Sequence, residues 1–165
     1  MQPSSPEASR RMAKVKQKGT SAEVALRREL YRRGLRYRVD FKVLEIPRRI
    51  ADIAFTRLKI AVFVDGCFWH GCPMHASWPK SNADFWRAKI ETNRARDIDS
   101  NLRLQASGWT VLRFWEHESP IKSAEIVEHI VTLAMSNRLG SPSRSNEKIQ
   151  QGKDRPHETC KRPEN

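Results

Sequence analysis

Ile60-Ala61-Val62-Phe63-Val64-Asp65-Gly66-Cys67-Phe68-Trp69-His70-Gly71-Cys72-Pro73-Met74-His75 changes character twice within sixteen residues. Ile60 to Val64 is the longest apolar run of the chain. With Lys59 ahead of it, it predicts a central strand buried on both faces. Asp65-Gly66 ends the run, and a turn-rich knuckle follows. Cys67-x4-Cys72-x2-His75 offers two soft sulfur ligands and an imidazole, and Zn2+ asks for four such ligands in a tetrahedron. Gly66, Gly71 and Pro73 supply the tight turns that a metal knuckle needs. His117, just past a second strand, is the favoured fourth ligand. Cys160, far down the chain, is the weaker one. The plainer alternative is a pair of buried cysteines with solvent-exposed histidines.

Working outward, Thr20-Ser21-Ala22-Glu23 has the capping-box pattern and predicts a helix to about Arg33. Val24, Leu26, Leu30 and Tyr31 form its apolar side, and Gly34 closes it. Strand-like runs are expected at Leu35 to Phe41, Ala51 to Leu58 and Lys59 to Val64. A long helix is expected from Ser81 or Asn82 to about Ser107, stopped by Gly108. Trp109 to Trp115 alternates as a strand does. Ser119-Pro120 opens a last helix, with Ile126, Val127, Ile130, Val131 and Leu133 facing inward. Helix, three strands, helix, strand, helix is a mixed α/β layer with helices covering a sheet. The folded part is expected over residues 20–136. Residues 1–19 are expected to be a flexible basic arm that contacts nucleic acid, and 137–165 a disordered tail.

The chain has 165 residues, of which 38% are hydrophobic, enough for one domain with a modest core. Lys and Arg number 31 against 19 Asp and Glu, a formal charge of +12 that attracts polyanions. DNA, RNA and acidic membrane surfaces remain open on charge alone. The expected place is the cytoplasm, since no stretch reads as a signal peptide or a membrane-spanning helix. Three cysteines, two of them beside histidines, fit metal binding better than a disulfide framework.

Two carboxylates stand at strand ends. Asp52 follows Arg48, Arg49, Ile50 and Ala51, and Asp65 ends the next apolar strand. Antiparallel pairing of those strands would bring both near one Mg2+, which selects oxygen ligands including main-chain carbonyls. Glu23 would join through water. Each also has a simpler reading: Asp52 paired with Arg49, Glu23 as the back half of a capping box, Asp65 opening a turn. His70 lies between the zinc ligands, so it is either surplus and free to take a proton from water, or itself a ligand in place of His75. Phe68 and Trp69 are large aromatics within a polar knuckle, the kind of wedge that kinks a duplex. Trp86 is a third candidate wedge, and Trp78 lies nearby in sequence. Phe85 is assigned to the core.

The pattern resembles the very-short-patch-repair (Vsr) mismatch endonucleases, a branch of the restriction-endonuclease-like superfamily. The match is carried by Ser9-Arg10-Arg11-Met12 with Thr20-Ser21-Ala22-Glu23, by Ala51-Asp52-Ile53, and by Val62 to Pro73. It continues in Phe85-Trp86-x2-Lys89-Ile90-x2-Asn93-x2-Arg96-Asp97, and Trp109 to Glu116 also fits. The resemblance spans roughly residues 9–135. It implies a mixed central sheet flanked by helices, with a structural zinc. It also implies Mg2+-dependent nicking of double-stranded DNA on the 5′ side of the thymine in T:G mismatches left by deamination of 5-methylcytosine. Asp52 and the main-chain carbonyl of Val64 then hold Mg2+, His70 activates water, and Glu23 supports the site through water. Phe68, Trp69 and Trp86 intercalate, Met12 enters from the opposite groove, and Lys89 and Asn93 read the mismatched pair. Zinc falls to Cys67, Cys72, His75 and His117. Asp65 stands where some members carry a second histidine, so its role stays open between metal ligand and substrate positioning. The superfamily's usual catalytic lysine is not evident. A nucleoid-associated bacterial monomer with no membrane contact is the expected context, and a MutL-type mismatch-repair partner is compatible with it.

Two rival readings remain at this level. One is a nuclease of the same fold that cuts without mismatch preference. The other is a basic zinc-containing DNA-binding protein without catalysis.

Overall fold

The structure, a computed structural model, describes residues 19–75 and 82–140. Met12, Trp78, Cys160, the expected arm to Lys18 and the tail beyond Gly140 therefore lie outside the described residues. Helix α1 spans Ser21–Arg32, followed by β1 (Arg38–Leu44), β2 (Arg49–Phe55) and β3 (Ile60–Asp65). Helix α2 (Ala83–Ala106) then leads to β4 (Thr110–Trp115) and α3 (Pro120–Gly140). The element order is the one expected from the sequence.

The capping box forms. Thr20 Oγ1 accepts from the Glu23 N–H at 3.3 Å, and the Glu23 carboxylate accepts from the Gly19 N–H at 2.9 Å. Leu26 and Leu30 are buried from this helix, but Tyr31 is 62% exposed, with the Arg36 guanidinium over its ring. The first strand starts later than expected. Gly34, at φ +81°, closes the helix and Leu35 N–H still bonds to the Leu30 carbonyl at 3.1 Å, which ties up the residues assigned to strand. The second strand stops at Phe55, because Leu58 N–H turns back to the Phe55 carbonyl.

The sheet order is β1-β2-β3-β4, with antiparallel pairs β1/β2 and β2/β3 and a parallel pair β3/β4 bridged by α2. Leu26 and Leu30 of α1 and Ala124, Val127 and Val131 of α3 cover one face, packing on Ile53, Phe55, Ile60, Val62 and Phe114. Leu104 of α2 covers the other, on Ala54, Ala61 and Phe63. The central strand is thus buried on both faces, as its five-residue apolar run demands.

Two inward assignments fail. Ile126 and Leu133 are 48% and 47% exposed, because at 100° per residue they fall off the stripe that Val127 and Val131 bury. Helix α3 also runs to Gly140, past the expected start of the tail. Among the described residues no helix is long and apolar enough to cross a membrane.

One irregularity positions chemistry. Ala51 packs in the α2-side cluster and Ile53 in the opposite one, although residues two apart on a regular strand share a face. The alternation therefore slips at Asp52. Directly across the β1/β2 pair from it, Asp40 has φ +48°, a left-handed conformation uncommon for Asp. The β2/β3 pairing begins only at Ile53↔Val62, and the Asp52 side chain replaces a ladder bond by accepting from the Val64 N–H at 2.8 Å.

Candidate active site and metal centre

Three groups of side chains meet at the end of the sheet where β3 finishes. The first is the cysteine–histidine set. The ligand atoms of Cys67, Cys72, His75 and His117 all lie within 4.8 Å of one another. Cys67 Sγ is 3.0 Å from His117 Nδ1, and Cys72 Sγ is 3.8 Å from the Nδ1 atoms of both His75 and His117. A tetrahedral Zn2+ with ordinary bond lengths places its ligand atoms roughly 3.6 Å apart, so the four residues fit that ion. His117 takes the fourth position that spacing left open. Burial, with Cys72 beside it, pushes the Cys67 thiol up to about 11. Burial also opposes ionisation of Cys72, but the Met74 N–H and His75 outweigh it and hold that thiol below its usual value. Such a metal ties the loop after β3 to the loop after β4, and Glu116 reinforces the junction by accepting from the Cys67 N–H at 2.7 Å.

The loop is also held from α2. Asn93 donates to the Trp69 carbonyl at 2.8 Å, and Arg94 donates to the carbonyls of Gly71 at 2.7 Å and His70 at 3.2 Å. Gly71 has φ +63°, and a Cβ there would stand 2.7 Å from Ile90 Cγ2, so only glycine lets the loop lie against the helix.

The second group is His70 with Asp65 and Asp97. His70 is not in the zinc set. Its Nδ1 is 2.5 Å from Asp97 Oδ2, which leaves Nε2 as the nitrogen free to meet water. Burial disfavours the charged ring, but the hydrogen bond to Asp97 and the charge of Asp65 prevail and hold the imidazole above its ordinary pKa. Asp65 is not beside Asp52 as a joint metal ligand. Both its oxygens accept from Arg113 Nη1, at 2.7 and 2.8 Å. The strand ends diverge beyond Ile53↔Val62, so the two carboxylates fall into separate groups.

The third group is Glu23, Asp40 and Asp52, again within 4.8 Å. Glu23 is buried and bonds to Arg27 Nη2 at 3.1 Å, and the same nitrogen lies 3.6 Å from Asp40 and donates to the Asp52 carbonyl at 3.3 Å. Arg49 does not pair with Asp52. It donates to Ser100 on α2 at 2.6 Å. Burial pushes the Asp52 carboxyl up to about 6 against the pull of the Val64 N–H, with Glu23 adding to the rise. Three carboxylates within reach of one point, with a guanidinium facing only two of them, are the donor chemistry of a hard divalent cation, so these residues fit Mg2+.

A family model described as DNA mismatch endonuclease Vsr matches residues 4–76. The type II nicking enzyme V.NaeI of Lentzea aerocolonigenes is 46% identical over 113 residues, covering 67% of this chain and 68% of its own length. The type II nicking enzyme V.NmeDIP of Neisseria meningitidis serogroup C is 39% identical over 132 residues, covering 78% of this chain and 86% of its own. The DNA mismatch endonuclease Vsr of Escherichia coli is 34% identical over 109 residues, covering 66% and 68%. This chain belongs to the Vsr family. The restriction-endonuclease-like fold expected from the resemblance is the fold observed.

In this Vsr chain the aromatics gather beside the knuckle. Phe68, Trp69 and Trp86 lie edge to face, with ring centroids 5.2 to 6.0 Å apart. All three are half-buried, and Phe85 is 46% exposed against Trp86 at 5.2 Å, so its assignment to the core is corrected. Lys89 is exposed, one turn further along α2. Residue types alone gave Asp40, Asp97, Arg27 and Arg113 no role. Asp97 stood in the matched motif without one, and nothing in sequence separation joins Arg113 to His70.

Proposed function

We propose that this protein hydrolyses one strand of duplex DNA with Mg2+, using Asp52 as the metal-anchoring carboxylate and His70 as general base. The observation that carries the reading is the orientation of His70: Asp97 fixes Nδ1 and leaves Nε2 to accept a proton from water. Asp52, Asp40, Glu23 and the main-chain carbonyl of Val64 would hold the cation. When bound, Mg2+ supplies Lewis acidity and charge neutralisation at the phosphorus. Water attacks phosphorus as Nε2 takes its proton, the P–O bond to the 3′ oxygen breaks, that oxygen takes a proton from solvent, and a 5′ phosphate and a 3′ hydroxyl result. Asp65 positions rather than ligates, since its oxygens are filled by Arg113.

For the finer substrate we propose a T:G mismatch arising from deaminated 5-methylcytosine, nicked 5′ to the thymine. The description of the matching family model and the name of the Escherichia coli relative support this, as does the cluster of Phe68, Trp69 and Trp86. A wobble pair is weakly stacked, so wedging there costs less than at a Watson–Crick step, and deformation energy becomes selectivity. Lys89, the free oxygen of the Asn93 amide and Met12 are the proposed contacts to the pair and its groove. Residues 1–19 form the DNA-contacting arm of an endonuclease unit spanning 20–136. The protein works as a bacterial monomer in the cytoplasm, where a MutL-type partner would meet it on the same DNA.

The second reading, nicking without mismatch preference, is favoured by the names of five relatives, which are type II nicking enzymes without mention of a mismatch. The test is a panel of duplexes of one sequence carrying T:G or C:G at the same position, with and without Mg2+. Nicking confined to T:G with Mg2+ supports the mismatch reading. Equal rates on both support the second reading, and no Mg2+-dependent nicking of either refutes the catalytic assignment.

A further inference from the structure

We propose that Arg113 is the positioning residue of the His70–Asp97 pair: one guanidinium, not a metal ion, locks Asp65 and Asp97 together and so fixes the acceptor that orients the imidazole. The inference rests on the catalytic role proposed for His70.

Three elements converge on this side chain. Arg113 sits on β4 opposite Phe63 of β3, and Asp65, two residues on, shares that face. From α2 come Asp97 and Asn101, four residues apart and therefore on one helical face. Every nitrogen of the guanidinium is engaged. Nη1 donates to both oxygens of Asp65 at 2.7 and 2.8 Å, Nη2 lies 3.2 Å from Asp97 Oδ1, and Nε donates to Asn101 Oδ1 at 3.0 Å. Its flat face lies 4.6 Å from the Phe63 ring centroid.

Asp97 is consequently used on both oxygens, Oδ1 toward Arg113 and Oδ2 toward His70. It cannot turn without breaking one of two charged contacts. The planar fork of arginine sets both directions at once, which a lysine ammonium cannot do. Asp65, His70 and Asp97 are close enough together to suggest a metal site. The guanidinium already supplies a cation there, engaging three of the four carboxylate oxygens, and His70 takes the fourth. Arg113 touches neither the aromatic cluster nor the Asp52 group through any contact described above. Its removal should therefore leave DNA affinity and Mg2+ binding in place and act on the chemical step.

The test uses the full zinc-loaded chain. Arg113→Gln is expected to slow single-turnover nicking of a T:G duplex with Mg2+ by roughly 100-fold, the scale of a misplaced catalytic group, while the Kd for the duplex holds. Arg113→Lys should recover only part of the rate, and added guanidinium ion should accelerate Arg113→Ala but not the wild type. A readout independent of turnover is the histidine-labelled NMR spectrum. The wild type should show a strongly deshielded Nδ1–H proton for His70, assigned by its loss in His70→Gln, and Arg113→Gln should lose it. The double variant Asp65→Asn with Arg113→Gln removes the ion pair as a unit, guards against misfolding from an unpaired buried Asp65, and should stay slow. An unchanged rate in Arg113→Gln, a loss seen entirely in Kd, or a fully restored rate in the double variant would each overturn the proposal. If the wild type nicks no duplex, the function proposed above fails, and the NMR comparison still decides whether Arg113 holds the pair.

Discussion

Two groups of three ligand-capable side chains flank the same pair of strands, each served by one arginine, and they are finished differently. Around Arg113 every guanidinium nitrogen is matched, and the carboxylates of Asp65 and Asp97 are held in fixed directions. Around Arg27 the match is incomplete: its Nε is buried without a hydrogen-bond partner, and it faces Glu23 and Asp40 while Asp52 accepts from a main-chain N–H. Asp40 and Asp52 stand directly opposite each other on paired strands, an arrangement that repels unless a cation intervenes. A saturated group is a device for orientation, and an under-neutralised one is a place for an ion. The difference separates the proposed positioning of His70 from the proposed anchoring of Mg2+, although Val64, which bonds Asp52, and Asp65, which accepts from Arg113, are adjacent on β3.

The sharpest way to break this division is Asp52→Ala. It is expected to cost at least about 4 kcal/mol of barrier, roughly a thousandfold in nicking rate, and to abolish the rise in Tm that Mg2+ gives the wild type. His70→Ala should lose nicking on the order of 100-fold to 10,000-fold, as for a general base, yet keep that Mg2+-dependent rise in Tm. If His70→Ala lost it as well, the two groups would be one site.

The cysteine–histidine set that fits zinc lies on the His70 side of the division. Cys72→Ser should bind no zinc by elemental analysis and should disorder the loop that carries His70, seen as loss of its Nδ1–H resonance. A full complement of zinc in that variant would remove Cys72 from the ligand set.

The pH dependence of stability sharpens the comparison further. Asp52 has its folded pKa raised from 3.8 to about 6, so its contribution is full below pH 3.8 and lost as pH rises through about 6. Asp52→Asn should therefore be more stable than the wild type at pH 8 without Mg2+, by on the order of 2 kcal/mol, and no more stable at pH 3.5. His70 is also raised, so its contribution is present below pH 6.5 and lost above its folded value. Asp97 is lowered, because its contacts with His70 and Arg113 outweigh burial, and it contributes above pH 3.8 and fails as pH falls below. Melts of His70→Gln against pH should thus flatten the loss of stability above pH 6.5, whereas Asp52→Asn should flatten the loss between pH 3.8 and about 6.

The smallest expected effect is Thr20→Ala, about 1 kcal/mol of stability from the lost helix cap. A larger fall in nicking rate than in stability would show that the cap holds Glu23 for the metal site as well as for the helix.

Local physics made much of this legible. The capping box, the buried strand Ile60 to Val64 and the thiol–imidazole spacing each depend on residues within one turn or one loop, and each is present. Phe85 and Tyr31 are exposed against expectation, because hydrophobicity alone does not say which side of a helix its neighbours cover. The contact of the Asn93 amide nitrogen with the Trp69 carbonyl spans 24 residues, beyond the reach of any local pattern.

Asp65 shows where the boundary lies. Residue order was enough to establish that a carboxylate ends a buried strand, that two thiols and an imidazole follow it, and that a basic chain of this order folds as a sheet between helices. The packing of the elements settled that Asp65 faces Arg113 rather than Asp52, and it brought His117 within reach of Cys67, Cys72 and His75. It also set Asp40 beside Asp52 and Asp97 beside His70. The reason is that strand pairing stops at Ile53↔Val62, and the way two strand ends part is set by what packs on either face, not by the residues of either strand alone.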